Sequence, residues 1–197
     1  MTAIDRRAVA IAGHKGDTIT AQQGMASPDA AIRATALGAL ERLQALTDAQ
    51  LSEALRDGSV LVRRRAAELS ARHKGVDLEP ALNDEDQQVV EVAAWACGEH
   101  EQVSVSTLNR LIELGANATD ALVREAAVAA LGAIGDQRGL ATIIEATTDK
   151  PAVRRRAVLA LAPFDGNNVE AAIEAALEDR DWQVRQAAED LRRAQNL

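Results

Sequence analysis

The chain has 197 residues, 47% of them hydrophobic, with 22 basic and 30 acidic side chains and a net charge of −8. That apolar share is enough for a folded core and too large for a disordered chain. The acidic balance, with no basic arm, counts against nucleic acid as the main partner, and 2% aromatics with no tyrosine count against a β-sheet core.

Alanine supplies 42 residues, so the apolar content consists mostly of small side chains that favour helices. Cys97 is the single cysteine, which leaves neither a disulfide nor a cysteine zinc site within the chain. No apolar run approaches the ~20 residues of a membrane span. The run Ala8–Ala12 is too short for a secretory segment. A soluble, cytoplasmic, monomeric protein is expected, and the excess of arginine over lysine, 19 to 3, fits a GC-rich bacterial source.

From the N-terminus onward a column of branched residues recurs: Ile4, Ile32, Val62, Val89, Val123, Val153 and Val184. Four positions after each stands an alanine: Ala8, Ala36, Ala66, Ala93, Ala127, Ala157 and Ala188. Arginine follows the column at Arg33, Arg63, Arg124, Arg154 and Arg185, with Asp5 and Val90 at the other two places. Such self-similarity marks a repeat architecture.

Each repeat reads as two helices. The first opens near the column, with Asp29, Asp86, Asp120 and Asp181 placed for its N-cap and Pro28 and Pro151 at its start. Gly13, Gly75, Gly98, Gly135 and Gly166 are expected to stop it. Second helices are predicted over 48–57, 77–83, 104–114 and 168–179. Residues 1–27 form a degenerate repeat, and 182–197 a polar capping helix. One hairpin cannot bury its apolar face alone, so the hairpins must stack. The expectation is a single all-α domain over 1–197, a right-handed α-solenoid of about six hairpins plus the cap.

The pattern Val-Arg-x-x-Ala with a glycine turn, clearest at Val62-Arg-Arg-Arg-Ala, Val123-Arg-Glu-Ala-Ala and Val153-Arg-Arg-Arg-Ala, resembles the HEAT-like repeats of phycobilisome-lyase type. The resemblance covers 28–197 well and 1–27 weakly. It implies the fold. Proteins of this repeat type include bilin lyases, di-iron hydroxylases, DNA glycosylases and plain scaffolds, so it leaves the function open.

The chemistry-bearing residues were weighed singly. His14, His73 and His100 fall between first and second helices and read as solvated residues at helix C-termini. The hydroxylases carry several His-Glu pairs, and here His100-Glu101 stands alone, in a turn. A bilin cleft needs bulky apolar lining, which Trp95, Trp182 and Phe164 supply sparingly. Arg63-Arg64-Arg65 and Arg154-Arg155-Arg156 could contact phosphate, but consecutive residues point around a helix, and Arg63 and Arg154 suit bonds to acids of a neighbouring repeat. Trp95 and Cys97 read as core, and Trp182 as a staple across the last repeats or an exposed anchor.

Second helices are taken to line the concave face. Over 48–57, 76–84, 104–115, 138–149 and 167–179 they carry 13 acids against Arg56, Arg110 and Arg138. Asp57, Asp84, Asp149 and Asp179 among them close repeats. Glu170, Glu174 and Glu178 fall on one helical stripe. The expected function is a non-catalytic scaffold, without metal, cofactor or catalytic residue, that holds a basic protein partner through Glu113, Glu145, Glu170, Glu174, Glu178 and Trp182. The alternatives are a lyase-like or hydroxylase-like enzyme of the same repeat type, or a DNA-binding glycosylase-like protein.

Overall fold

The computed structural model describes residues 5–100 and 102–195. These form thirteen α-helices, a 3-10 turn at Gln137–Gly139 and no strand. In chain order they are α1 (Arg6–Lys15), α2 (Thr18–Met25), α3 (Ala30–Arg42), α4 (Asp48–Ala54), α5 (Val60–Ser70), α6 (Glu79–Leu82) and α7 (Gln87–Gly98). Then follow α8 (Val105–Asn117), α9 (Ala121–Ile134), α10 (Leu140–Ala146), α11 (Pro151–Ala160), α12 (Asn167–Leu177) and α13 (Trp182–Gln195). Odd-numbered helices are the first helices of the repeat and even-numbered ones the second, giving six hairpins and a last helix. The fold is an all-α repeat of the α-solenoid class. The chain divides into two compact units, Met1–Ala96 and Cys97–Leu197, whose boundary lies inside α7.

The repeat column explains the packing. Ile32, Val62, Val89, Val123, Val153 and Val184 are buried, as are Ala36, Ala66, Ala93, Ala127, Ala157 and Ala188. Ile4 lies outside the described residues, and Ala8 stands exposed because no described helix precedes α1 to cover it. Large side chains fill the space between layers: Leu37, Leu40, Leu51 and Leu82 in the first unit, Leu108, Leu131, Ile143, Leu161 and Ile173 in the second.

The helix ends follow local chemistry. Asp29 and Asp120 cap α3 and α9 by accepting the N–H of Ala31 and Leu122 at 2.8 and 2.9 Å. Asp86 and Asp181 do the same for Gln88 and Gln183. Thr47 and Gln50 close a reciprocal capping box on α4. Gly135 ends α9 in the left-handed conformation, φ 69°, as expected. Two other stops differ. α1 runs through Gly13 to end at Gly16, φ 80°, and Gly166 is the N-cap of α12 rather than the end of α11.

Gly13 has a packing role instead. A methyl group there would lie 2.9 Å from Ala39 of α3, and one on Gly132 would lie 2.5 Å from the Ala160 side chain of α11. First helices therefore approach at backbone distance. Within each unit they pack more closely on one another than the second helices do. Several second helices are short, α6 with four residues and α4 and α10 with seven each, and so touch one another less.

Candidate functional site

The arginine column is a ladder of paired charges. Arg33 donates Nε and Nη2 to both oxygens of Asp57 at 2.8 and 2.7 Å, and Arg63 does so to Asp84 at 2.6 and 2.9 Å. In the second unit Arg124 grips Asp149 at 2.6 and 2.8 Å, and Arg154 grips Asp179 at 2.8 and 2.7 Å. The third nitrogen reaches back to the turn before it: Arg63 to the Asp57 carbonyl, Arg154 to that of Asp149, and Arg185 to that of Asp179, at 3.0, 2.8 and 2.6 Å. Each such turn aspartate is thus bound by two successive repeats.

These carboxylates are held below their ordinary pKa. Hydrogen bonds from Arg33, Arg124 and Arg154 dominate at Asp57, Asp149 and Asp179. At Asp84 burial pushes upward most, and Arg63 and the Asp86 N–H together outweigh it. Arg63 and Arg154 are buried and committed to structure, while Arg64 and Arg155 point to solvent. The triple-arginine runs therefore do not form one phosphate-binding row.

The histidines separate. His14 is exposed in the last turn of α1, as expected. His73 is not a solvated rim residue: its Nε2 lies 2.9 Å from Glu41 and its Nδ1 2.8 Å from Asp48. Burial lowers its pKa, and the two carboxylates more than compensate, so it is raised above 6.5. His100 is buried, contrary to expectation. Among the described residues no cluster of His, Cys, Asp and Glu could hold a metal ion. Cys97 is buried.

The acids of interest stand on second helices and are exposed: Glu113 on α8, Glu145 on α10, Glu170 and Glu174 on α12, with Glu178 as the C-cap of α12. Three of them have cationic neighbours. Arg110 pairs with Glu113 at 2.7 Å, and Arg192 of α13 lies 2.6 Å from Glu174 and 3.6 Å from Glu170. The 170–174–178 stripe is therefore partly neutralised by a side chain that helical spacing within α12 does not reveal. Glu145 and Glu178 pair with no cation among the described residues. Trp182 is 64% exposed at the start of α13, beside Arg155 and Leu159.

A second surface went unseen in the sequence. Ile11, Leu61, Trp95, Leu122, Leu159 and Trp182 are exposed, and all lie on first helices. Trp95 was expected in the core and is 45% exposed. Its small neighbours Ala93, Ala94, Ala96 and Cys97 turn inward and leave the outward position to it. In the first unit the first-helix side holds a groove. One half is lined by Arg6, Ala10, His14, Ala31, Ala34, Thr35 and Leu61, and the other by Glu41, Glu68, Leu69, Ala71, Arg72 and Trp95. Gly38, Arg42 and Arg65 line both halves. The signal was present in the repeat register: positions two, six and ten after the column read Arg6, Ala10, His14; Ala34, Gly38, Arg42; Arg64, Glu68, Arg72; and Glu91, Trp95, Glu99.

Comparison with known proteins agrees with the fold. Residues 75–162 match the family model described as HEAT repeats. No curated protein matches the chain in sequence. Among solved structures, the chain is similar to YibA of Escherichia coli at 16% identity and TM-score 0.66, over 95% of this chain and 74% of that one. It is also similar to a designed armadillo repeat protein in complex with the peptide (KR)4, at 19% identity and TM-score 0.62, over 88% and 97% of the two chains. An engineered protein matches at 19% identity and TM-score 0.65, over 89% and 96%. Residues 75–162 are thus similar to HEAT repeats in sequence, and the fold of the described residues is that of an α-solenoid. Among the described residues no helix is long and apolar enough to cross a membrane.

Proposed function

We propose that this protein is a non-catalytic interaction scaffold whose second unit holds a basic protein segment on the acids of its second helices. The observation that carries this reading is the row of exposed carboxylates Glu113, Glu145, Glu170, Glu174 and Glu178, repeated from hairpin to hairpin. Repetition at helix spacing suits an extended cationic chain, whose charges would meet one carboxylate group after another. A protein of similar fold, the designed armadillo repeat protein, is complexed with (KR)4, which supports the idea that such a stack can present a surface to a basic peptide. Trp182 would serve as an apolar anchor at the end of the row. The repeat motif itself supports the phycobilisome-lyase type of HEAT repeat.

Titration with a fluorescein-labelled (KR)4 peptide tests the proposal. Combined Glu170→Lys, Glu174→Lys and Glu178→Lys replacement should weaken binding about tenfold, and the wild-type affinity should fall with salt. Replacing Arg64, which lies on the other unit, by glutamate should leave it unchanged or tighter. Equal loss from both variants, or no binding at low salt, would overturn the proposal.

A further inference from the structure

We infer that the first-helix groove of the first unit is a docking site for an acidic protein segment that carries an apolar side chain. It is a different surface, on a different unit and of opposite charge, from the one proposed above. Its four guanidinium groups, Arg6, Arg42, Arg65 and Arg72, face two carboxylates, Glu41 and Glu68. The groove is therefore net positive in a chain of net charge −8.

The cations differ in how far they are engaged. Arg65 pairs with Glu68 at 2.8 Å, Arg72 lies 3.8 Å from Glu41, and Arg6 bonds the Thr35 hydroxyl at 3.2 Å. Glu41 is shared with His73. Arg42 is exposed and bonds no partner among the described residues, so the centre of the groove holds an uncompensated cation. Arg65 lies across Gly38, where an added methyl group would come 2.7 Å from its Nη2. The missing side chain joins the two halves into one channel floored by Ala10, Ala31, Ala34 and Gly38.

Such a channel can seat a peptide backbone with its carboxylates on Arg42 and Arg65. Exposed Leu61 and Trp95 offer contacts for an apolar side chain, and tryptophan with arginine is the composition that dominates binding energy at protein interfaces. A phosphodiester chain fits less well. It would meet Glu41 and Glu68 inside the channel and find one aromatic side chain where single-stranded nucleic acid uses several for stacking.

The experiment uses the full chain and a fluorescein-labelled peptide of alternating aspartate and leucine, followed by anisotropy at low salt. Combined Arg42→Glu and Arg65→Glu should weaken binding at least about tenfold, and Trp95→Ala about fivefold. Arg56→Glu makes the same charge change just after α4, outside the groove lining, and should stay within about twofold. Gly38→Leu fills the channel without altering charge and should also weaken binding, which keeps the test valid if the double variant unfolds. Circular dichroism confirms that each variant is folded. Absence of saturable binding, equal loss in Arg56→Glu, or tighter binding of a single-stranded oligonucleotide than of the peptide would overturn the inference. Loss of (KR)4 binding would not, since that peptide reports on the other unit.

Discussion

The two units are built on the same kind of rung, two in each, and differ in where the ladder stops. In the first, Arg33 and Arg63 bind Asp57 and Asp84; in the second, Arg124 and Arg154 bind Asp149 and Asp179, and Arg185 adds a further bond to the Asp179 carbonyl. The first rung of each series, lacking an aspartate behind it, reaches plain backbone carbonyls: Ser27 and Pro28 for Arg33, Ala118 and Thr119 for Arg124. Between the series the register position belongs to Val90, which is buried and has nothing to donate. The boundary of the units follows within the same helix. Two changes, Val90 for the column arginine and Ala118 for the repeat-closing aspartate, thus separate the charge network into two, while the alanine packing column continues through at Ala93.

The largest expected effect is on the rungs. Arg154→Ala would leave Asp179 half-buried without its cation and should cost about 3 kcal/mol in urea denaturation. Arg63→Ala should cost a similar amount through Asp84. If either cost no more than removal of an exposed pair, the ladder would be decorative and the comparison between the units would fail.

Next come the close helix contacts. Gly132→Ala would force Ala160 backbone and side chain away and should cost about 1–3 kcal/mol. Gly38→Ala in the first unit meets only the mobile end of Arg65, and its gain in helix propensity should keep the change within about 1 kcal/mol. Thermal midpoints of the two variants compare them directly.

Acidity acts on both units. The ladder aspartates have lowered folded pKa values, so their stabilisation is complete above the unfolded value near 3.8 and is lost as pH falls through the folded ones. Both units should therefore loosen below about pH 4. His73 gives the first unit an opposite dependence. Its folded pKa is raised, so its contribution is full below 6.5 and fades as pH rises through the folded value. Amide protection factors in α3, α4 and the turn at His73 should fall as pH rises above 6.5, and His73→Gln should abolish that fall. The smallest effect belongs to Arg110→Ala, an exposed pair with Glu113, expected within about 0.5 kcal/mol.

Much of the fold was legible in sequence because burial here is a column property. A valine, then an alanine four positions on, leaves little choice of helix face, and the arginine column could be matched to acids closing the repeats. The helix stops were less readable. Gly13 and Gly135 look alike in sequence, yet one admits a neighbouring helix and the other turns the chain. The candidate surfaces were harder still. Arg192 reaches Glu174 from a different helix, a pairing no spacing within α12 reveals, and Trp95 was assigned to the core by its bulk in a chain where alanine already fills the core.

The doubly held aspartate also bears on how such a chain can lengthen or shorten. Asp149 belongs to one repeat through its carboxylate and to the next through its carbonyl, and Asp179 repeats the arrangement. A segment cut from just after Asp149 to just after Asp179 therefore carries away one whole bond set and leaves matching halves behind. Duplication or loss of that segment would join like to like, so the joints that fasten the stack also make its hairpins interchangeable parts.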